Sequence, residues 1–120
     1  MTRVRYDSHS TEFGLWLREQ PEIESILGFV ATNLDFIWAN YKTGEWMLIE
    51  EKRHSGAVRL YQQQLFDKID KLCQQDSHYC GFHTIVFQNT NPDDGQIWLD
   101  GKLISKRELL DFLRFDKVTL

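Results

Sequence analysis

A change in apolar spacing midway along the chain constrains its fold more than any other sequence feature. Residues 32–40 and 45–51 are rich in strand formers, and residues 41–44 between them read Tyr-Lys-Thr-Gly, a turn sequence. Over residues 58–72 the apolar side chains recur instead every three or four positions, which predicts an amphipathic helix. Residues 82–88 then predict a mostly buried strand. This order of strands, helix and strand predicts a mixed α/β domain.

The C-terminal part of the chain predicts a second, smaller hairpin and a closing helix. Asp100-Gly101 suits a two-residue type I′ turn between strands at 97–99 and 102–104. Ser105 and Glu108 have the spacing of a capping box ahead of an apolar helical stretch. The complete predicted order is therefore helix, strands, helix, strand, small hairpin and helix, in one domain spanning residues 1–120.

Composition limits the classes of protein that this chain can belong to. Its 120 residues suffice for one buried core without disulfide or metal staples. Fourteen basic against eighteen acidic residues give a formal charge of −4, which argues against coating nucleic acid by bulk attraction. Two cysteines and no apolar leader or long apolar run predict a cytoplasmic protein with no membrane segment.

The first hairpin contains the most informative group of polar residues. If residues 41–44 close it as a two- or a four-residue loop, facing residues have numbers that sum to 85, and Asp35 lies opposite Glu50. Opposed Cβ atoms in an antiparallel pair are about 5 Å apart, so two carboxylates there repel each other. The same register pairs Ile37 with Leu48 and suggests that both belong to the core.

Lys52 lies two residues beyond Glu50 and therefore points to the same face of the sheet. Two close carboxylates form a hard oxygen site that suits Mg²⁺ or Mn²⁺, and an adjacent ammonium can orient water or stabilise developing charge. This combination predicts metal-assisted phosphodiester hydrolysis. The plainer alternative is that Asp35 caps a strand end and residues 50–53 form a solvated charged rim.

At these residues the chain resembles the PD-(D/E)XK nucleases, the restriction-endonuclease-like superfamily. The resemblance rests on Asp35, a short hairpin, the run Ile49-Glu50-Glu51-Lys52 and a following helix, and it covers roughly residues 10–90. It implies an αβββαβ core with a mixed sheet, to which the C-terminal hairpin and helix are added. It also implies that Asp35 and Glu50 are Mg²⁺ or Mn²⁺ ligands and Lys52 the catalytic lysine. Leu34 stands where many members have proline.

The resemblance also implies further contributions to the site from two helices. Many members complete the metal site with a glutamate from the first helix, which here begins near Ser8 to Thr11 and runs to about Gln20. Glu19 and Glu12 are the candidates, with Glu19 preferred for its proximity to the turn into the sheet. Some exonuclease-like branches place a glutamine on the helix after the lysine, and Gln62 fits that position.

Basic residues beside this site predict a nucleic-acid substrate. Arg53, His54 and Arg59 lie close to Lys52 in sequence, and cations facing phosphates are what such an enzyme needs. The expected substrate is DNA, with no small-molecule cofactor. A domain of this size has little surface for reading sequence, so we expect structure-specific cutting, dependence on a partner, or a homodimer that doubles the footprint.

Two other interpretations remain for the chain as a whole. A non-catalytic module could keep the nuclease-like core and bind nucleic acid or protein. A zinc-stabilised domain could use the Cys and His residues between positions 73 and 83, namely Cys73, His78, Cys80 and His83. Their spacing lacks a Cys-x2-Cys knuckle, so buried thiols and a strand-end histidine explain them better.

Overall fold

The computed structural model describes residues 12–53 and 59–116. The chain divides into two compact units, Met1–Asn33 and Leu34–Leu120. The expectation of a single domain stays a prediction.

The N-terminal unit is helical in its described part. Helix α1 spans Glu12–Arg18, and single 3₁₀ turns follow at Pro21–Ile23 and Ser25–Leu27. The rings of Phe13 and Trp16, three residues apart on α1, stack with centroids 6.1 Å apart. The helix ends two residues before the predicted end at Gln20, and its predicted caps at residues 8–11 lie outside the described residues.

The second unit is built on a five-stranded mixed sheet in the order β1-β2-β3-β4-β5. The strands span Phe36–Ala39, Trp46–Arg53, Tyr79–Phe87, Ile97–Leu99 and Lys102–Ile104. Strands β2 and β3 run parallel, while every other neighbouring pair is antiparallel. A parallel pair needs a crossover connection, and helix α2, Leu60–Cys73, lies in it. The predicted α/β class and the mixed sheet are confirmed.

Strand β3 begins three residues earlier than its sequence pattern indicates and contains a bulge. Trp46 pairs with Tyr79 and Leu48 pairs with Phe82, so β3 has one extra residue between these positions. Gly81 lies in that stretch with φ +105°, a backbone conformation that residues with a side chain rarely adopt. The bulge sets the register of the rest of β3 against β2.

Helices α2 and α3 cover opposite faces of this sheet. On one face, Phe66 of α2 stacks on Phe82 of β3 with ring centroids 4.8 Å apart. On the other face Leu109 of α3, Lys106–Leu113, joins a buried cluster with Met47, Ile49, Ile85, Ile97, Leu99 and Ile104. Because side chains alternate along a strand, one apolar set packs on each side.

The C-terminal hairpin and helix form as the sequence predicts. Asp100 and Gly101 have φ values of +51° and +84°, as a type I′ turn requires. Ser105 caps α3 by accepting a hydrogen bond from the Glu108 amide, and the Glu108 carboxylate accepts one from the Ser105 amide. Both halves of the predicted capping box are therefore present.

Two expectations about the first hairpin need revision. Ile37 was expected in the core, but 70% of its surface is exposed, because β1 is an edge strand whose four residues are all exposed. The αβββαβ order requires three strands before the second helix, and the described residues have two there, β1 and β2. The mixed α/β class holds, whereas the finer restriction-endonuclease-like core stays a prediction.

Candidate functional site

The register of the first hairpin brings Asp35 to Glu50. All four residue pairs of β1 and β2, from Phe36 with Ile49 onward, have numbers that sum to 85, so the predicted register is confirmed. The loop has four residues, since the Asn40 amide donates to the Glu45 carbonyl. Asp35 directly precedes β1, and it therefore faces Glu50 across the hairpin.

Each of these two carboxylates accepts a hydrogen bond from the opposite strand. The Asp35 amide donates to Glu50 Oε1 at 3.3 Å, and the Glu51 amide donates to Asp35 Oδ2 at 2.8 Å. These bonds extend the contact between the two chain segments to the residue before β1, with side-chain oxygens as the acceptors. They fix both carboxylates in place, so the site is preorganised by the backbone on which it is built.

Glu50 also has two side-chain partners from the adjoining structure. Lys52, on the same face of β2, places its Nζ 3.3 Å from Glu50 Oε2. Gln62, in the first turn of α2, donates from Nε2 to the same oxygen at 3.4 Å. Strand β2 and the crossover helix therefore both supply contacts to one carboxylate, as the sequence interpretation of Lys52 and Gln62 requires.

Burial makes the Glu50 carboxylate unusual among the acidic residues that the structure describes. The residue is 2% exposed, and it is the one buried polar or charged residue within residues 12–53 and 59–116. Desolvation, then the side-chain hydrogen bond to Asp35 and the charge of Asp35, raise the pKa of Glu50 to about 7, against the opposing effect of Lys52. The pair therefore favours an added positive charge near neutral pH.

This donor set fits a hard divalent cation in its chemistry. Two carboxylates on neighbouring strands supply oxygen ligands, which Mg²⁺ and Mn²⁺ prefer, and Mg²⁺ typically retains several waters. Among the described residues no group of three or more His, Cys, Asp or Glu side chains converges as a metal site. Asp35 and Glu50 would thus supply two ligands, and any third protein ligand would come from elsewhere.

The two glutamates considered as a third ligand belong to the N-terminal unit. Glu12 is the first residue of α1, and Glu19 follows its last turn, where its amide donates to the Trp16 carbonyl. A role for either glutamate in the metal site stays a prediction.

The basic residues predicted to face phosphate have different surroundings. Arg53 is exposed and pairs with Glu51, with Nε 3.0 Å from Oε2. Arg59 immediately precedes α2, and its Nη1 lies 3.4 Å from the Tyr61 hydroxyl. His54 lies outside the described residues. Arg59 therefore flanks the helix turn that presents Gln62 to Glu50, whereas Arg53 points to the face of β2 opposite Lys52.

The Cys and His residues considered for zinc do not form a shared site among the described residues. Both ring nitrogens of His83 are engaged, by Asp100 and by the Cys80 carbonyl. The Cys80 thiol donates to the His78 carbonyl, and His78 lies beside Asp76 on the surface. The expectation of buried thiols and a strand-end histidine is wrong, because Cys73 is half-buried, Cys80 is exposed and His83 lies in the middle of β3.

One feature that sequence reasoning missed is the contact of His83 with Asp100. The Asp-Gly pair signals a turn, but a turn sequence carries no information on which strand its carboxylate will reach. A histidine 17 residues from an aspartate has no periodic relation to it, so only the packing of β3 beside β4 brings the two together.

Comparisons with known proteins add no relative of this chain. No protein-family model, no curated protein and no solved structure matches it. Within the described residues, none of the helices has the length and apolar character needed to cross a membrane. The function is therefore argued from the site itself.

Proposed function

We propose that this protein is a metal-dependent nuclease that uses Mg²⁺ or Mn²⁺ to hydrolyse DNA phosphodiester bonds. The observation that carries the proposal is the buried Glu50 carboxylate, held against Asp35 and contacted by Lys52 on the same face. Placing two like charges together destabilises a protein, so a pair held by backbone hydrogen bonds, with Glu50 buried and Asp35 exposed, favours a ligand that offsets the repulsion.

The proposed roles follow from the positions of the side chains. A divalent ion held by Asp35 and Glu50 would polarise the phosphodiester and acidify a bound water. The Lys52 ammonium, 3.3 Å from Glu50 Oε2, would orient the attacking water or stabilise charge on the phosphoryl oxygens. Gln62 keeps the Glu50 carboxylate in its orientation through its own hydrogen bond.

A cation at the edge of this site would position the DNA backbone. Arg59 immediately precedes α2, whose first turn presents Gln62 to Glu50, and would contact a phosphate there. Arg53 follows Lys52 on β2 and points to the opposite face of the sheet, where it pairs with Glu51, so it would face away from a phosphate bound at Lys52. A phosphate contact is independent of base sequence, which supports recognition of DNA structure over sequence. Finding sequence-specific cleavage by the monomer would overturn this expectation.

Cleavage assays with a matched lysine control test the proposal. The protein is incubated with linear, nicked, branched and single-stranded DNA in Mn²⁺, beside Lys52→Ala and Lys68→Ala. Lys68 is an exposed residue of α2, so its truncation controls for the loss of one positive charge. We expect Lys52→Ala to lose on the order of 100-fold or more in rate and Lys68→Ala to retain activity. No cleavage of any substrate, or equal rates in all three proteins, would refute the mechanism.

The second candidate is a non-catalytic module that binds nucleic acid or protein. It is favoured because both carboxylates already have partners within the protein. Lys52 forms an ion pair with Glu50, and the Glu51 amide donates a hydrogen bond to Asp35 Oδ2. Isothermal calorimetry separates the candidates. A module of this kind shows no heat of Mn²⁺ binding, whereas the proposed nuclease binds Mn²⁺ and loses that heat in Asp35→Asn.

A homodimer remains part of the proposal, since two copies would double the surface available to DNA. Light scattering at several protein concentrations, with and without a branched DNA, measures the state directly. A monomer under all conditions that still cleaves would remove the dimer from the proposal and leave the chemistry unchanged.

A further inference from the structure

His83 occupies an unusual position on the sheet face opposite Glu50. Its Nδ1 lies 2.7 Å from Asp100 Oδ2, and its Nε2 lies 2.8 Å from the Cys80 carbonyl oxygen. The edge of one ring meets the face of the other where His83 packs on Phe112 of α3, with centroids 4.8 Å apart. The side chain is 20% exposed, so the surrounding structure holds the ring in this orientation.

Both partners of this ring are hydrogen-bond acceptors. A neutral imidazole has one N–H and one lone pair, so it can donate to only one of the two oxygens and would direct its lone pair at the other. An imidazolium donates to both. We propose that folded His83 is held as an imidazolium near neutral pH and acts as a proton-dependent clamp between the start of β3 and the β4–β5 turn.

The clamp fixes more than the histidine itself. Asp100 Oδ1 accepts from the Thr84 amide at 2.9 Å, and the Asp100 amide donates to the Thr84 carbonyl at 2.8 Å. The same carboxylate thus joins the turn to two consecutive residues of β3. Thr84 is the register neighbour of Glu50 across the parallel pair, so the clamp steadies the strand that flanks the candidate site. The inference itself is independent of the proposed nuclease activity.

The charged groups around His83 agree with its protonation. Burial alone lowers the pKa of His83, but the hydrogen bonds to Asp100 and to the Cys80 carbonyl, together with the charges of Asp100 and of Asp70 in α2, raise it above the ordinary value of 6.5. Helix α3 contributes the uncharged ring of Phe112. A raised pKa means that the stabilisation is complete below pH 6.5 and is lost as the pH rises through the folded-state pKa.

Nuclear magnetic resonance of the histidine rings tests the protonation state in the wild-type protein. We expect the His83 ring to show protons on both nitrogens at pH 6.5 and to titrate above the ordinary value of 6.5. A His83 ring that is a single neutral tautomer at pH 6.5 would overturn the proposal. This measurement needs no variant, so it decides the matter even if the variants fold poorly.

Asp100→Asn provides a shape-conserving variant for the same measurement. Asparagine tolerates the positive φ of this turn and can still accept from the Thr84 amide, while its amide group can donate to His83 Nδ1. A neutral ring then satisfies both contacts. We therefore expect the midpoint of the His83 titration to move to lower pH, and an unchanged midpoint would contradict the clamp.

Denaturant unfolding between pH 6 and 9 measures what the clamp contributes. The denaturant concentration at the unfolding midpoint should fall for wild type as the pH rises across this range. It should fall less for His83→Gln, because the glutamine side chain does not titrate. His78→Gln is the matched control, since His78 also lies near an aspartate but is 58% exposed. Equal pH dependence in His83→Gln and His78→Gln would overturn the clamp.

Discussion

Two pairs of titratable side chains, one on each face of the sheet, differ in the signs of their charges. Asp35 and Glu50 have like charges, and burial followed by the contact with Asp35 raises the pKa of the Glu50 carboxylate to about 7. His83 and Asp100 have opposite charges, and each is held by further hydrogen bonds to β3. The two charges of the second pair attract each other, whereas the repulsion in the first pair is only partly offset by Lys52. This difference marks the first pair as the candidate site.

The largest expected effect concerns the pH dependence contributed by Glu50. Its folded pKa of about 7 exceeds the ordinary value of 4.5, so the folded state binds more protons between these limits. The contribution of Glu50 protonation to the unfolding free energy is therefore fully present below pH 4.5 and is lost as the pH rises to about 7. The fall amounts to about 3 kcal/mol, since each pKa unit corresponds to roughly 1.4 kcal/mol.

Glu50→Gln should remove this dependence without a large change of shape. The measurement is urea unfolding of metal-free wild type and variant from pH 4.5 to 8, comparing slopes so that any constant offset from the lost Lys52 contact cancels. Other titrating groups, including His83, are common to both proteins. If the unfolding free energies of the two proteins changed in parallel with pH, Glu50 would have an ordinary pKa, and the proposed difference between the two pairs would be wrong.

The next expected effect is stabilisation by a divalent ion. An ion that binds only the folded state at about 100 times its dissociation constant stabilises by about 2.7 kcal/mol. We expect Mn²⁺ to raise the melting temperature of wild type and to leave Asp35→Asn unchanged. The metal-free Asp35→Asn protein should itself be at least as stable as wild type, because the repulsion with Glu50 is relieved.

Asp100→Asn serves as the control for the ion experiment, because it removes a carboxylate from the other pair. Its response to Mn²⁺ should match that of wild type. An equal loss of ion-dependent stabilisation in both variants would place the ion away from Asp35, and the absence of any stabilisation in wild type would favour the non-catalytic module.

Local patterns predicted the parts of this molecule that depend on neighbours in sequence. The register that places Asp35 opposite Glu50 follows from strand alternation and one short loop. The type I′ turn at Asp100 follows from two residues whose conformation is nearly dictated by their type. In both cases a few residues adjacent in sequence determine the structure.

Contacts set by packing could not be predicted in the same way. The exposure of Ile37 depends on β1 lying at the sheet edge, and sheet order involves strands far apart in sequence. The burial of Glu50 similarly involves residues distant in sequence, including Gln62 of α2. The pairing of His83 with Asp100 requires β4 to add beside β3. The periodicity of apolar residues indicates which face of a strand is apolar, but not which helix or strand packs against that face.

The smallest expected effect concerns a carboxylate outside both pairs, which serves as a reference for them. Glu108 caps α3, and hydrogen bonds from the Ser105 amide and hydroxyl lower its pKa. Removing the reciprocal half of the box with Ser105→Ala should cost about 1 kcal/mol of unfolding free energy, the usual value for an N-cap serine.

This loss should be the same with and without Mn²⁺ and should hardly vary between pH 6 and 9, because the serine hydroxyl does not titrate there. The check is urea unfolding of Ser105→Ala beside wild type at both pH values and both metal conditions. A loss that grows with pH would mean that α3, through Phe112, is coupled to the protonation of His83. The two pairs could then no longer be treated as independent of the helix that packs beside one of them.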